Sequence, residues 1–463
     1  MRARFGRAAL CALLVLPLGC VQLERRRTEE VRRVADEVGQ RTALVFPPKW
    51  AELGAHEPSP QAQALLADGL DDDEAIRVAL LENRSIRAAF ERLGVAAYDR
   101  VRAGLIANPL FSATVLLQDS FPDVELGVSQ PLVDLFRRSL RMDLADVELD
   151  VARAAVLEHL VRVSSHVREA TLACRAQLER ARLAQETALA AREAEGLTIA
   201  LHKAGNVTDL ELSTRRRARA LADLDSLEAQ ALVVERREDL LALLGLSNDP
   251  GFELTTRLEL DQLPAAPAAD LESRVLENSL GLAQLEARLR GAQARAGLPR
   301  SFNVLGNNSA VGIGAGKDDV VGSWGVGPIL SVPIPIFDTG ASMQSAARAE
   351  ALAWLAERDG LVRDLASTTR RLAARQASLS ERAALARSEL LSLTRRVVIE
   401  TLQQYNSMQI GAFDVLHERE LELKHSRMAL DLWEDAWRAR IDLDQLRLGA
   451  RPESHRPSGS MGG

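Results

Sequence analysis

Aromatic residues make up only 4% of this 463-residue sequence, although 47% of it is hydrophobic. Long proline-free segments dominated by Ala, Leu, Arg and Glu favour coiled-coil-like helices over a compact mixed core. The formal net charge is only −7, and the sequence has no basic patch interleaved with aromatic residues. Both observations argue against a nucleic-acid partner.

Cysteine is scarce as well, with three residues in the whole sequence. Cys174, in a helical run, is predicted to be an inert packed thiol, and no disulfide framework is possible. The seven histidines form no cluster with Cys or carboxylates at metal-ligand spacing, and no nucleophile–base arrangement stands out. We therefore predict no metal site, no cofactor and no enzymatic activity.

Hydrophobic runs long enough for a transmembrane helix are also missing, so any membrane crossing must use strands. The N-terminal run "AALCALLVLPLGC" follows three arginines and has the dimensions of a signal-peptide core. It ends at Gly19-Cys20, which resembles a bacterial lipobox, although Pro17 stands where lipoboxes usually have Leu. We expect Cys20 to be the lipid-bearing first residue of the mature protein; the alternative is an ordinary signal peptide with an incidental cysteine.

The rest of the sequence contains an internal repeat. The two halves share short motifs in the same order: "LENRS" at Leu81 with "LENSL" at Leu276, "QPLVD" with "IPIFD", "KAGNVTDLEL" with "QIGAFDVLHE" through Gly205 and Gly411, and Gly245 with Gly449. The offset between the halves grows from 193 at "RAGL" (102–105 and 295–298) to 204 at "QPLVD" and "IPIFD", which places an insertion of 11 residues in "GNNSAVGIGAGKDDV", a predicted loop. Each half is predicted to run helix, strand, loop, strand, long helix, turn, long helix.

Periodicity locates these elements. Alternating or β-branched stretches predict strands at Phe111–Gln118, Asp123–Gln130, "SFNVLGN" and "VGSWGVGPILSVP". In the last of these, apolar side chains alternate with small or polar ones, a pattern that suits either a soluble sandwich or a porin-like wall. Uninterrupted helical runs predict four long helices at Ser139–Lys203, Asp209–Leu244, Ser342–Ser407 and Val415–Leu448.

These features together resemble the TolC-type outer-membrane efflux proteins, over nearly the whole chain from Asp71 to Gly449. The most specific stretch is "GPILSVPIPIFDTG" (327–340), followed by the helix turns "GNVTDLEL" and "GAFDVLHERELE". The resemblance implies a mainly α fold with a small β part. It consists of two strand–strand–long helix–turn–helix repeats that form, in a homotrimer, a 12-stranded transmembrane β-barrel continued by a periplasmic α-helical tunnel.

The predicted organisation has six segments: a signal peptide (1–19), a lipid-anchored N-terminal extension (20–70), a first repeat (71–245), a linker (246–270), a second repeat (271–449) and a disordered tail (450–463). The function that the resemblance implies is a passive export duct in the outer membrane, for small solutes or metal ions. Its partners would be outer-membrane lipid, a periplasmic adaptor protein and an inner-membrane transporter. "SVPIPIFD" and "MQIGAFDVL" lean towards the heavy-metal branch.

The resemblance also assigns residues to sites. The tips that dock the adaptor are Gly205, Asn206, Gly411 and Ala412, and a candidate acidic constriction contains Asp209 and Asp414. The barrel-to-helix junction contains Pro131, Asp134, Pro333, Pro335, Asp338 and Gly340. In the junction the prolines remove ladder donors and end the strand, and Asp338 is a candidate N-cap.

Simpler roles compete with these assignments. Gly205 and Gly411 can serve as left-handed helix C-caps, and Asp209 and Asp414 can cap the returning helices. For the whole protein, two alternatives stay open: a lipid-anchored periplasmic coiled-coil scaffold with a soluble sandwich, and a type I secretion duct.

Overall fold

The computed structural model describes residues 25–41, 57–67, 69–116, 123–131, 133–254, 262–297, 309–317, 323–332 and 340–452. Helices dominate these ranges. In chain order they are α1 (25–41), α2 (Pro60–Ala67), α3 (Asp72–Glu82), α4 (Arg84–Ala103), α5 (Val133–Lys203), α6 (Asp209–Leu244), α7 (Leu271–Asn278), α8 (Leu280–Ala296), α9 (Ala341–Leu385), α10 (Ser392–Asn406) and α11 (Ala412–Arg447). A π-helical turn, Ala386–Leu391, joins α9 to α10.

The longest helix is α5, with 71 residues. At 1.5 Å per residue it extends about 105 Å. No proline interrupts it, and its last turn carries His202 and Lys203, whose side chains suit the negative end of the helix dipole. The predicted helix at Ser139 thus begins six residues earlier, at Val133, whereas α6 has the bounds that the sequence predicted.

One four-stranded antiparallel sheet, in the order β1-β2-β3-β4, accompanies the helices. Its strands are β1 (Leu110–Leu116), β2 (Asp123–Pro131), β3 (Ala310–Lys317) and β4 (Trp324–Ser331). The central pairing joins β2 from the first half of the sequence to β3 from the second. The prediction of β3 was wrong: its residues lie in the Gly-rich stretch that was predicted to be a loop, and "SFNVLGN" lies outside the described residues.

The chain forms two compact units. The first contains residues 1–36, 88–157 and 280–363 and includes the sheet; the second contains 37–87, 158–279 and 364–463. Each unit takes segments from both halves of the sequence, so the halves are units of repetition and not of packing. The repeat boundaries at 71–245 and 271–449 stay a prediction.

Small residues build the core of the second unit. Leu379, Ala383 and Ala386 pack against Ala429, Leu432, Ala436 and Ala439 of α11. Another cluster joins Ala176 and Leu183 of α5 to Leu423 and Leu430 of α11, and a third joins α5 to α6 through alanines. Alanine at these positions lets long helices approach closely, so the low aromatic content follows from the architecture.

The repeated Leu-Glu-Asn motif has a structural explanation within this unit. Asn83 Nδ2 donates a hydrogen bond to Leu243 O at 2.7 Å, and Asn278 Nδ2 donates to Arg447 O at 3.2 Å. Each asparagine therefore satisfies a carbonyl at the C-terminus of the last long helix of its own half. Gly245 and Gly449 end these two helices with positive φ. The internal repeat is thus visible in equivalent contacts.

Candidate functional site

One face of the sheet is apolar and uncovered. The pairing places Phe111, Val128, Ile313 and Pro328 in one row across the strands, and Ala113, Leu126, Ala315 and Val326 in the next. Phe111 is 71% exposed and Leu330 72% exposed, and every residue of β4 is exposed. Fully burying a side chain of this size is worth about 1.5–3 kcal/mol. A continuous apolar face of this kind indicates a surface that contacts something other than water.

The opposite face is mostly small or polar, although Leu110 and Ile329 also lie on it. Its central row contains Ser112, Gly127, Gly314 and Gly327. Gly312 has no room for a side chain, because a Cβ there would lie 2.4 Å from the carbonyl oxygen of Val128. The alternation predicted for "VGSWGVGPILSVP" therefore extends across the sheet, with one apolar face and one face rich in glycine and hydroxyl groups, on which Ile329 lies next to Gly314.

The two outer strands leave open edges. β1 pairs only with β2, and β4 pairs only with β3, within the part of the chain that the structure describes. An edge strand presents a row of unpaired N–H and C=O groups that can pair with another strand. The sheet is therefore an open four-stranded piece with two available edges.

The first helix tip joins α5 to α6. Gly205 has φ +77°, its N–H donates to His202 O at 2.9 Å, and Asn206 N–H donates to Leu201 O at 2.9 Å. This pair of bonds is the Schellman motif, which favours glycine at its left-handed position. Thr208 then caps α6, with Oγ1 accepting from Glu211 N at 3.3 Å.

The second tip joins α10 to α11 with the same hydrogen bonds but a different residue. Met408 N donates to Tyr405 O at 2.9 Å and Gln409 N donates to Gln404 O at 3.0 Å, and Met408 has φ +58°. The C-capping interpretation of Gly411 is therefore wrong: its φ is −84°, and it is the N-cap of α11, which begins at Ala412. Met408, which is 94% exposed, corresponds to Gly205.

The two predicted acidic residues lie at these tips but are not equivalent. Asp209 is the first residue of α6, and its Oδ1 lies 2.8 Å from His202 Nε2. Asp414 lies three residues after its N-cap, and its Oδ2 accepts from Gly411 N at 2.9 Å. The residue of the first tip that corresponds to Asp414 is Glu211, because each lies three residues after the N-cap of its helix. Aligning Gly205 with Gly411 in the sequence hides this correspondence.

Contacts near the tips connect the two halves. The Arg215 guanidinium of α6 lies 5.1 Å from the ring centre of Phe413 and 3.5 Å from Glu420, both on α11. Farther along α11, Glu434 is 2% exposed and pairs with Arg180 of α5. Burial alone lowers the pKa of Arg180, but hydrogen bonds with Asp431 and Glu434 raise it above its ordinary value. One ion pair between α5 and α11 therefore contains a buried carboxylate, and the contacts at the tips are partly buried.

The predicted barrel-to-helix junction is only partly described. Pro131 is the last residue of β2 and Asp134 lies in the first turn of α5. Gly340 has φ +73°, and its carbonyl accepts from Gln344 N at 3.2 Å, so Gly340 occupies the N-cap position of α9. The N-cap prediction for Asp338 is therefore wrong by two residues; Pro333, Pro335 and Asp338 themselves lie outside the described residues.

Two further predictions concern chemistry. Cys20 lies outside the described residues. Within the described ranges, no group of three or more His, Cys, Asp or Glu side chains could hold a metal ion. A search of the same residues for helices finds none with both the length and the apolar composition needed to cross a membrane.

Known proteins are similar to this chain in sequence and in structure. No family model matches the chain. In sequence it is 27% identical, over 348 residues, to the cobalt-zinc-cadmium resistance protein CzcC of Cupriavidus metallidurans; the match covers 73% of this chain and 79% of the relative.

Among solved structures, a membrane protein from Pseudomonas aeruginosa superimposes with a TM-score of 0.67 at 16% identity, covering 87% of this chain and 99% of the other. The open-state outer-membrane channel MtrE of Neisseria gonorrhoeae gives 0.66 at 17% identity, covering 85% and 90%. These similarities confirm the predicted fold class, a mainly helical chain with one small antiparallel sheet.

Proposed function

We propose that this chain, which has the fold of the TolC-type outer-membrane channels, is the outer-membrane channel of a tripartite efflux system. The observation that carries the proposal is the sheet with one uncovered apolar face and two open edges. In water the apolar face of such a sheet stays exposed, and in lipid its edge N–H and C=O groups stay unsatisfied until the edges pair. The chain itself works as a passive duct and performs no chemistry.

Edge pairing between copies completes the sheet. In lipid an unpaired backbone group costs several kcal/mol, so β1 of one copy must pair with β4 of the next. Three copies supply 12 strands, the number that the family resemblance implies. The apolar face with Phe111 and Leu330 then contacts lipid, and the glycine-rich face lines a water-filled channel.

The long hairpins continue the duct away from the membrane. Their tips, at Gly205 and Asn206 and at Gly411 and Ala412, dock a periplasmic adaptor, which connects the channel to an inner-membrane transporter that supplies the energy. Opening requires the α5–α6 hairpin to move relative to α11. The contacts of Arg215 with Phe413 and Glu420 resist this movement and must break for the tips to separate.

Asp209 and Asp414 form acidic rings at the closed end of the trimer. Rings of carboxylates favour cations in a pore. The test is single-channel recording of the purified trimer in a planar bilayer. Replacing Asp209 and Asp414 with Ala should change the conductance or its block by divalent cations, and an unchanged conductance and block would remove both residues from the constriction.

Membrane attachment separates this proposal from the coiled-coil scaffold. If Cys20 carries the lipid and the sheet also enters the membrane, Cys20→Ala should leave the mature chain in the membrane fraction, extractable only with detergent. Release of this variant into buffer without detergent would instead favour a lipid-anchored scaffold.

The name of the relative CzcC favours divalent metal ions as the cargo. A host that lacks its own outer-membrane channel, but keeps the adaptor and pump, tests this cargo. Expression of the chain should restore growth in cobalt, zinc or cadmium salts. Restored resistance to organic drugs or export of a protein, without metal resistance, would assign it to another branch or to a type I secretion system.

A further inference from the structure

A cleft of about 690 Å³ lies in the first unit, between α1, the end of α4 and the start of α5. Its lining is rich in cations: the arginines are Arg25, Arg26, Arg33, Arg100, Arg138 and Arg153. Only three carboxylates, Glu29, Glu30 and Asp146, line it as well. Six positive and three negative groups leave a net charge of +3 in a protein whose total is −7. The cleft is therefore a local concentration of positive charge.

The carboxylates do not neutralise all of these arginines. Arg100 pairs with Asp146, and Arg153 pairs with Glu30, whose side chain is buried. Among the residues that the structure describes, Arg25 makes no ion pair and Arg138 donates only to the carbonyl of Gly104, at 2.7 Å. Two guanidinium groups therefore keep donors for an anionic ligand.

Arg26 and Arg33 also line the cleft, and their exposed side chains form long ion pairs. Arg26 lies 3.9 Å from Glu29, with both side chains more than half exposed, and Arg33 lies 3.6 Å from Glu30. Guanidinium groups bind phosphate oxygens with paired hydrogen bonds. Four arginines lining one cleft thus supply several paired donors for a phosphate group.

The position of the cleft indicates where the phosphate comes from. Gly104 and Leu105 line it, and only four residues separate Leu105 from the first residue of β1. Leu105, Ile106, Leu110 and Phe111 are all exposed apolar residues. The cationic cleft therefore continues directly into the apolar foot of the sheet. This arrangement suits a ligand with an anionic head and an apolar tail.

The N-terminal anchor supports the same location. Arg25, the start of α1, is the fifth residue after Cys20, and a chain of that length spans at most about 18 Å. If Cys20 is acylated, the cleft is held within that distance of the membrane surface. Basic pockets at this depth bind anionic lipid headgroups.

We infer that this arginine cleft binds the phosphate of an anionic phospholipid in the leaflet next to the helices. The inference rests on the proposed function, which places the sheet in a membrane. The acyl chains lie along Leu105, Ile106 and Phe111, and the headgroup enters between α1 and Arg138.

Native mass spectrometry of the purified trimer in non-ionic detergent tests the inference. The probes are palmitoyl-oleoyl phosphatidylglycerol and palmitoyl-oleoyl phosphatidylethanolamine at equal concentration, and inorganic phosphate alone. The wild type should bind the phosphatidylglycerol at least tenfold better than the zwitterionic lipid. The triple variant Arg25→Gln, Arg26→Gln, Arg33→Gln should lose about fivefold in affinity for each arginine. These side chains are exposed on α1, so the variant should still fold.

A matched control removes the same charge elsewhere. Arg217, Arg371 and Arg395 are exposed and lie outside the cleft, and their triple Gln variant should bind like the wild type. Equal binding of the two lipids, or equal losses in the two variants, would overturn the inference. So would binding of inorganic phosphate without any preference for phosphatidylglycerol. Intact trimers with normal conductance but no lipid preference would contradict this inference alone. Absence of both trimers and conductance would contradict the proposed function.

Discussion

Met408 occupies a backbone conformation that its side chain disfavours, and its replacement by glycine should stabilise the second helix tip. A residue with a Cβ costs about 1–2 kcal/mol in the left-handed region. Glycine gives back roughly 0.5–1 kcal/mol through its greater freedom in the unfolded chain. Because Met408 is 94% exposed, almost no packing is lost. The net gain of Met408→Gly is therefore about 1 kcal/mol, or about fivefold in the closing equilibrium of the turn.

Hydrogen exchange measures this gain at the amides of Met408 and Gln409, which close the turn. Their exchange should slow about fivefold in Met408→Gly. The matched control is the reverse change at the other tip, Gly205→Met, where an added Cβ meets no atom within 4 Å. There the amides of residue 205 and Asn206 should exchange about fivefold faster. Unchanged or faster exchange in Met408→Gly would show that the backbone of Met408 is not strained.

Three further predictions concern the sheet, the hairpins and the thiols. Gly312→Ala should abolish heat-resistant oligomers on a denaturing gel, because the added Cβ would lie 2.4 Å from the backbone oxygen of Val128. Gly316→Ala on the same strand should keep the oligomers, because its Cβ would lie 3.8 Å from the nearest atom. Equal oligomer stability in the two variants would contradict the close approach at Gly312. Glu434→Gln should cost about 3 kcal/mol and lower the thermal midpoint by several degrees in circular dichroism, since it neutralises a buried carboxylate that pairs with Arg180 and Arg438. Glu400→Gln, in an exposed pair, should cost under about 1 kcal/mol, and similar losses in both variants would contradict the importance of burial. Burial raises the pKa of the Cys174 thiol from 9.0 to about 11. The contribution of the protonated thiol to folding stability is therefore complete below pH 9 and is lost as the pH rises from about 9 to 11. At pH 8 a thiol reagent should modify Cys174 only after denaturation, and rapid modification of the folded protein would contradict this.

The helices and their order could be predicted from the sequence because each depends on local features. Proline-free runs, and breaks at "AGNVTD" and "IGAFD", fix where a long helix continues and where it stops. The bounds of α6 were predicted to the residue, and β2 differs only by its last residue. The apolar and small faces of the sheet also follow from alternation within each strand.

Features that depend on distant partners could not be predicted in this way. β3 is a strand because it lies between β2 and β4, which supply hydrogen bonds that override its weak intrinsic preference, since four of its eight residues are glycine or lysine. Met408 was missed because sequence rules expect glycine at a left-handed C-cap. The asparagines of the repeated motif donate to helix ends 160 and 169 residues away, which no local pattern indicates.

The oligomeric mass of the mature Cys20→Ala chain, measured by light scattering with and without detergent, tests the central claim most directly. The account predicts a trimer that requires detergent, because the apolar face and both edges of the sheet need lipid and sister subunits. A monomer that stays in solution without detergent would contradict the channel, its partners and its tips together.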